Sequence, residues 1–97
     1  MLFALMCFDN DDGLKTRIAN REDHMAYLKS LGSKIVLGGP YTSSDGEKPI
    51  GSLLIIDAVD EDEVKSIAAN DPYAKAGLFK KVETLPWKWT VNPPQDQ

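Results

Sequence analysis

Apolar runs and helical patterns alternate along this chain in the order β-α-β-β-α-β. Four apolar runs bounded by turn-forming residues predict strands at Leu2–Phe8, Lys34–Leu37, Ile50–Val59 and Leu78–Leu85. Helical spacing predicts one long helix over about Leu14–Leu31 and a second from Asp60 to Asn70. This order is the ferredoxin-like, or split βαβ, arrangement of an α+β fold, with an antiparallel sheet and helices on one face. Because the strands carry too many large apolar residues for both faces to be wet, we expect a second copy of the chain to cover the other face.

The first helix carries an apolar stripe and, beside it, a row of polar side chains. The stripe recurs at helical spacing: Leu14, Ile18, Met25 and Leu28. The polar row follows at steps of four and three residues: Arg17, Arg21 and His24. One side of this helix therefore combines titratable groups with apolar surface.

Glycine and proline residues divide the rest of the chain. Gly38-Gly39-Pro40 is predicted to end the second strand, before an exposed loop that contains a tight turn at Asp45-Gly46. Asp71-Pro72 is typical of a helix start, with Asp as N-cap and Pro at the first helical position. Pro86-Trp87-Lys88-Trp89 is predicted to extend the last strand as an edge-like arm.

Length, charge and cysteine content limit the classes open to the chain. Its 97 residues predict one domain over residues 1–90 and a flexible tail over residues 91–97. A net charge of −4 argues against a nucleic-acid partner, because phosphate neutralisation needs a basic face. The single cysteine, Cys7, cannot form an internal disulfide. Met1–Phe8 is too short to span a bilayer and lacks the basic start of a signal peptide, so we expect a cytoplasmic protein with no membrane partner.

Six short motifs follow one another along the chain: Arg21-x-x-His24, Gly38-Gly39-Pro40, Gly51-Ser52, Asp71-Pro72-Tyr73, Ala76-Gly77-Leu78-Phe79 and Pro86-Trp87. Together they resemble the YciI-like (YCII-related) family, from Phe3 to about Trp87. The resemblance implies a dimeric α+β barrel, the fold shared with muconolactone isomerase-like proteins. It also implies an active site of a His and an Asp, which map onto His24 and Asp71. Some family members act on small ring compounds from aromatic degradation, for example as dehydrochlorinases, and many others have no assigned reaction.

His24 is the only histidine, and an imidazole can take or give a proton near neutral pH. Asp71 could orient this imidazole and favour its protonated form. The same carboxylate is also what a helix N-cap requires, and both roles can hold if each oxygen serves one of them. The alternative for His24 is a helical side chain that only packs beside Leu28.

Five further residues are candidate substrate contacts. Arg21 could bind an anionic group through a two-pronged contact, or it could pair with a surface carboxylate. Gly39 and Pro40 could let a ligand approach bare backbone, or they could simply end the strand. Ser52 could donate a hydrogen bond and Tyr73 could wall a pocket, with strand filling and core packing as the alternatives.

The first functional hypothesis is a cofactor-free enzyme in which His24 removes a proton from carbon next to a carbonyl or assists loss of a leaving group. Asp71 would hold the imidazole, and Arg21 would bind a small carboxylate that could be cyclic, in an isomerase or lyase reaction. The alternative is a non-catalytic dimer, or a higher oligomer, that binds a small molecule or serves as an accessory module. No metal or cofactor is expected, since one His and one Cys cannot build the usual zinc site and no dinucleotide or phosphate-loop motif occurs.

Overall fold

The computed structural model describes residues 1–94, and its elements follow the predicted order. The strands are β1 (Leu2–Asp9), β2 (Ile35–Thr42), β3 (Pro49–Asp57) and β4 (Phe79–Trp87). The helices are α1 (Leu14–Leu31), α2 (Glu61–Ala69) and α3 (Pro72–Lys75), with a short 3₁₀ turn at Gly32–Lys34. The strands form one antiparallel sheet in the order β2-β3-β1-β4, so the ferredoxin-like α+β fold is confirmed.

The hydrophobic core lies between the sheet and the helices. Alternate residues of β1 and β3 face the helices and pack against α2. The buried cluster comprises Phe3, Leu5, Cys7, Leu54, Ile56, Ala58, Val64 and Ile67. The hydroxyl of Tyr27 donates a hydrogen bond of 2.8 Å to the backbone oxygen of Ile67 and so ties α1 to α2.

Helix α1 turns two residues of its polar row, Arg17 and His24, toward the sheet in place of its apolar stripe. Arg17 and His24 are buried, whereas Ile18 is 66% exposed and Met25 is 54% exposed. The C-terminal part of the helix packs against the core through residues such as Leu31. Most of the apolar stripe is therefore left facing open space beside the sheet.

The second strand is longer than predicted, and the prediction that Gly38-Gly39-Pro40 ends it is wrong. All three residues lie inside β2, which is an edge strand. Proline is tolerated at an edge because its missing N–H interrupts no central ladder. A Cβ atom at Gly38 would collide with the side chain of Leu54, so glycine at this position lets β2 lie close to β3.

The predicted helix start at Asp71-Pro72 is confirmed, and it holds the side chains of Asp71 and Tyr73 beneath α1. The Asp71 carboxylate accepts a hydrogen bond of 2.9 Å from the backbone N–H of Tyr73, and Pro72 occupies the first helical position. Gly77 ends this short helix with a φ of 75°, a left-handed conformation that favours glycine. Tyr73 is thereby held with its ring pointing into the protein, where it is almost fully buried.

The sheet face opposite the helices is largely apolar, and no helix of residues 1–94 covers it. The β4 residues Lys81 and Glu83, which form an ion pair at 3.0 Å, also lie on this face. Large side chains from all four strands lie on it: Met6, Phe8, Leu37, Tyr41, Leu53, Ile55, Leu85 and Trp87. The rings of Phe8 and Tyr41 stack on this face with centroids 5.6 Å apart, and Leu85 is 58% exposed. A contiguous apolar surface of this kind is typical of an interaction site.

Beyond β4 the chain continues as a short arm without regular secondary structure. The indole N–H of Trp89 donates a hydrogen bond of 2.8 Å to the backbone oxygen of Val91. Residues 95–97 of the predicted tail lie outside the described residues. Across residues 1–94, no helix combines the length and the apolar character that a membrane crossing requires.

Candidate active site

A cavity of about 910 Å³ opens between α1 and the sheet edge formed by β2 and β3. The structure brings six of the sequence-predicted site residues to its lining: Arg21, His24, Gly39, Pro40, Ser52 and Tyr73. The seventh, Asp71, lies behind His24. Much of the remaining wall is apolar and includes Ile18, Met25 and Leu28, so part of the exposed stripe of α1 faces this space.

The imidazole of His24 is held by the carboxylate of Asp71. The Nδ1 atom lies 2.9 Å from Oδ1 and 3.0 Å from Oδ2, and both side chains are buried. Asp71 therefore contacts the imidazole and caps α3 at the same time. Because an ionised carboxylate only accepts hydrogen bonds, Nδ1 carries the hydrogen in this pair. The neutral imidazole then has an unprotonated Nε2.

The Nε2 atom of His24 is the ring nitrogen that the protein leaves accessible. Nε2 makes no hydrogen bond to any group within residues 1–94. Every side-chain nitrogen or oxygen that is fully enclosed in this part of the chain does have a hydrogen-bond partner. Nε2 must therefore be in contact with open space, and His24 lines the cavity. An unprotonated, accessible Nε2 is suited to accept a proton from a bound molecule.

Tyr73 fixes the plane of the imidazole. Its ring stacks on that of His24 with centroids 3.9 Å apart and an interplanar angle of 13°. The Tyr73 ring is itself held by Phe79, whose ring packs edge-on against it with the two centroids 6.2 Å apart. Burial raises the pKa of the Tyr73 phenol, although the positive charges of Arg17 and Arg21 partly oppose this, so the phenol is protonated at neutral pH.

A second buried pair, between Asp9 and Arg17, lies at the floor of the site. Arg17 Nε donates to Asp9 Oδ2 at 2.8 Å and Arg17 Nη2 donates to Asp9 Oδ1 at 2.9 Å, which is a two-pronged contact. Burial alone would lower the pKa of Arg17, but the hydrogen bond and charge of Asp9 more than offset this and raise it. Arg17 is therefore positively charged at neutral pH.

Arg17 also connects this pair to the rest of the cavity lining. Its Nη2 donates a further hydrogen bond of 3.1 Å to the hydroxyl oxygen of Ser52. Its guanidinium carbon lies 4.7 Å from the ring centroid of Tyr73, within the range of a cation–π contact. Tyr73 is thus in contact with Arg17 as well as with His24.

Sequence reasoning placed Arg17 in the polar row of α1 but gave it no role, and it missed Asp9. One signal was available, because Asp9 follows Phe3, Leu5 and Cys7 in the alternation of β1 and so points to the buried face. An acidic side chain at such a position needs a buried cation as its partner. The partner itself could not be identified without the packing angle of α1.

Cys7 takes no part in this chemistry. Its side chain is buried on the helix-facing side of β1, and burial, with smaller contributions from Asp71 and Asp9, raises the pKa of the thiol to about 12. The thiol is therefore protonated at neutral pH and is a poor nucleophile. Among residues 1–94, no group of three or more His, Cys, Asp or Glu side chains is arranged to hold a metal ion.

The sequence matches the family model for the YCII-related domain over residues 1–88. A protein of Haemophilus influenzae is 33% identical over 95 residues, which cover 91% of this chain and 97% of that protein. The derivative of benzaldehyde biosynthesis cluster protein C from Emericella nidulans is 37% identical over 76 residues, which cover 70% of this chain and 78% of that protein.

One solved structure combines similarity in sequence with similarity in fold. It is the 5-chloro-2-hydroxyhydroquinone dehydrochlorinase of Burkholderia phenoliruptrix in complex with 2,5-dihydroxybenzoquinone. The two chains are 42% identical and superpose with a TM-score of 0.83, over 91% of this chain and 94% of that one.

Arg17→Met and Arg21→Met form a matched pair one helical turn apart, and we expect very different effects on stability. Arg17→Met leaves Asp9 buried without a partner and should lower the free energy of unfolding by about 3–5 kcal/mol. Arg21 is exposed, so Arg21→Met should change the free energy of unfolding by less than about 0.5 kcal/mol. Urea denaturation followed by circular dichroism measures both. Equal effects would contradict a buried ion pair, and Asp9→Val combined with Arg17→Met should recover much of the loss.

Proposed function

Because the chain belongs to the YCII-related domain family, we propose that it is an enzyme that uses His24 to move a proton on a small ring compound carrying an anionic oxygen. The reaction is of the lyase or isomerase type, and elimination of a leaving group from the ring is the form that we favour. The base is the imidazole of His24, and cationic side chains of the protein pair with the negative charge of the substrate. The proposed reaction therefore needs no cofactor.

The observation that carries this proposal is the asymmetry of the two ring nitrogens of His24. Nδ1 is bound to Asp71 at 2.9 Å, and Nε2 is open to a cavity of about 910 Å³. The buried carboxylate also stabilises the imidazolium that forms when Nε2 takes a proton. If His24 served only to pack the core, we would expect both of its ring nitrogens to be hydrogen-bonded within the protein.

The chemistry can be written for a ring carbon next to a carbonyl, which a hydroxylated ring such as a chlorohydroquinone carries in its keto form. Nε2 takes the proton from this carbon, the C–H electron pair forms a carbon–carbon double bond, and the carbonyl oxygen becomes an enolate oxygen. In an elimination, the enolate collapses and the leaving group departs from the neighbouring carbon with its bonding electrons. In an isomerisation, the imidazolium returns the proton to a different carbon. Neither route requires an oxidant or a reductant.

The relatives support a ring compound as the substrate. One of them is named as a dehydrochlorinase, and its structure holds 2,5-dihydroxybenzoquinone, a ring with carbonyl and hydroxyl oxygens. Another is named for a benzaldehyde biosynthesis cluster. Dehydrochlorination removes a proton and a chloride from the substrate, which a single positioned base can assist.

The cavity lining carries three cationic side chains, Arg17, Arg21 and Lys29, against one acidic side chain, Glu47, and this balance supports an anionic substrate. Arg21 is exposed and lines the cavity one helical turn from His24. A guanidinium can meet a carboxylate or a ring oxygen through two parallel N–H donors. The apolar side chains of Ile18, Met25 and Leu28 would contact the faces of the ring.

We expect the protein to release chloride from 5-chloro-2-hydroxyhydroquinone. His24→Gln should lower kcat by about 10²- to 10⁴-fold, because it removes the general base. Asp71→Asn should lower kcat while leaving the helix cap in place, since Asn caps as well as Asp. Asp62→Asn, an exposed change of the same type on α2, is the matched control. Chloride release followed over time measures all four proteins.

Full activity in the His24→Gln variant would contradict the proposed role of the imidazole. A wild-type protein that binds 2,5-dihydroxybenzoquinone but never turns over the chlorinated ring would instead be a small-molecule-binding module. Calorimetric titration with the quinone separates this outcome from a simple lack of affinity.

We also propose that the working form is a homodimer joined through the apolar sheet face. This face carries Leu37, Leu85 and Trp87, each more than one-third exposed in a single chain. A second copy would bring an identical apolar face and would cover both sheets at once. The interface should be at least of standard size, on the order of 1,600 Å² in total.

Light scattering at micromolar concentration should give twice the mass of the chain. Leu85→Glu places a charge on the sheet face and should yield a monomer. Val59→Glu is the matched control, because Val59 is also exposed but lies between β3 and α2, away from this face. A wild-type protein that stays monomeric would argue against the barrel assembly.

A further inference from the structure

Ser52 lies where the floor of the cavity meets the second buried ion pair. It is on the helix-facing side of β3, where it pairs with Cys7 of β1 and Pro40 of β2. Its side chain is buried against protein and still contributes to the cavity lining. A polar group at such a place must either satisfy its hydrogen bonds within the protein or leave one for a ligand.

The hydroxyl oxygen of Ser52 already has a donor, but its proton has no acceptor. Arg17 Nη2 donates to Oγ at 3.1 Å, and this is the one side-chain hydrogen bond that Ser52 makes within residues 1–94. A hydroxyl can donate one hydrogen bond in addition to those that it accepts. The proton is therefore available to an acceptor that enters the cavity.

The geometry of Arg17 makes this arrangement rigid. The two hydrogens of Nη2 are divided between Asp9 Oδ1 at 2.9 Å and Ser52 Oγ at 3.1 Å, while Nε is held by Asp9 Oδ2 at 2.8 Å. The planar guanidinium is thus locked by the carboxylate and directs one N–H at the hydroxyl. An N–H donated by a cation polarises the hydroxyl and strengthens it as a donor.

We propose that Ser52 donates its hydroxyl proton in a hydrogen bond to the oxygen of the substrate that becomes negative when His24 takes the proton from carbon. Arg17 and Asp9 are positioning residues that orient and polarise this hydroxyl without touching the substrate. The inference rests on the proposed function and adds the group that stabilises the enolate oxygen. It is the counterpart of an oxyanion hole, built from one side chain and placed in advance of the reaction.

This arrangement also narrows the substrate class. Ser52 and His24 both line the cavity, and Tyr73 lies between their elements, in contact with His24 and with Arg17, the partner of Ser52. A substrate must present an acceptor oxygen to Ser52 and a C–H bond to His24 at the same time. A ring with a carbonyl or ionised hydroxyl next to an unsubstituted carbon meets this requirement, and a ring without such an oxygen does not.

The probe for the test is 2,5-dihydroxybenzoquinone, titrated into the protein by calorimetry. We expect Ser52→Ala to weaken its binding by about 10- to 100-fold, which is typical for the loss of a hydrogen bond to a charged oxygen. Ser52→Thr keeps the hydroxyl and should bind within about threefold of the wild type. Ser66→Ala, an exposed change of the same type on α2, should leave binding unchanged.

A double-mutant cycle tests the positioning role of Arg17. If Arg17 acts through Ser52, Arg17→Lys should weaken quinone binding in the wild-type background and have little further effect in the Ser52→Ala background. A residue that only stabilised the fold would have the same effect in both. Thermal unfolding of every variant identifies any loss of binding that comes from loss of the folded state.

The outcomes separate this inference from the proposed function. If Ser52→Ala binds the quinone as tightly as the wild type while His24→Gln loses chloride release, the role of Ser52 is overturned and the role of His24 stands. If Ser52→Thr is as weak as Ser52→Ala although both are folded, the hydroxyl is not the contact and the inference is again overturned. If the wild type neither binds the quinone nor releases chloride, the proposed function fails and the inference fails with it.

Discussion

The site depends on the burial of two hydrogen-bonded polar pairs beneath one helix. Asp9 with Arg17, and Asp71 with His24, are each nearly removed from solvent and each satisfied by their partners. An ionised carboxylate or guanidinium left unpaired in this position would cost several kcal/mol, so Asp9, Arg17 and Asp71 each need their partners. Tyr73 contacts both pairs through His24 and Arg17 and makes them one unit.

This polar unit explains the orientation of α1. An ordinary surface helix would bury Ile18 and Met25 and expose Arg17. Here the helix is rotated so that Arg17 and His24 meet their carboxylates, and the apolar stripe is left beside the cavity. A buried ion pair such as Asp9–Arg17 contributes less to stability than well-packed apolar residues would, so this rotation is consistent with the proposed role of His24 as a base.

Local signals predicted some parts of the site well and others poorly. Asp71-Pro72 was recognised as a helix start because capping involves residues adjacent in sequence, and the structure confirms it. The prediction that Gly38-Gly39-Pro40 ends the strand is wrong, because sequence does not show that β2 is an edge strand, where proline is tolerated. Asp9 was overlooked because its importance depends on Arg17, which reaches it only when α1 lies across the sheet.

The ferredoxin-like fold was predictable from the sequence. Its signals were the order of apolar runs, the helix spacing and the caps, and each of these depends on contacts within a few residues or on the alternation of one strand. The sequence also limited a proposed histidine base to His24, since there is no other histidine. Only the tertiary structure decided which nitrogen is free, which carboxylate holds the imidazole and which residues line the cavity. These depend on the rotation of α1 about its own axis, and that rotation is set by hydrogen bonds between polar side chains far apart in the chain.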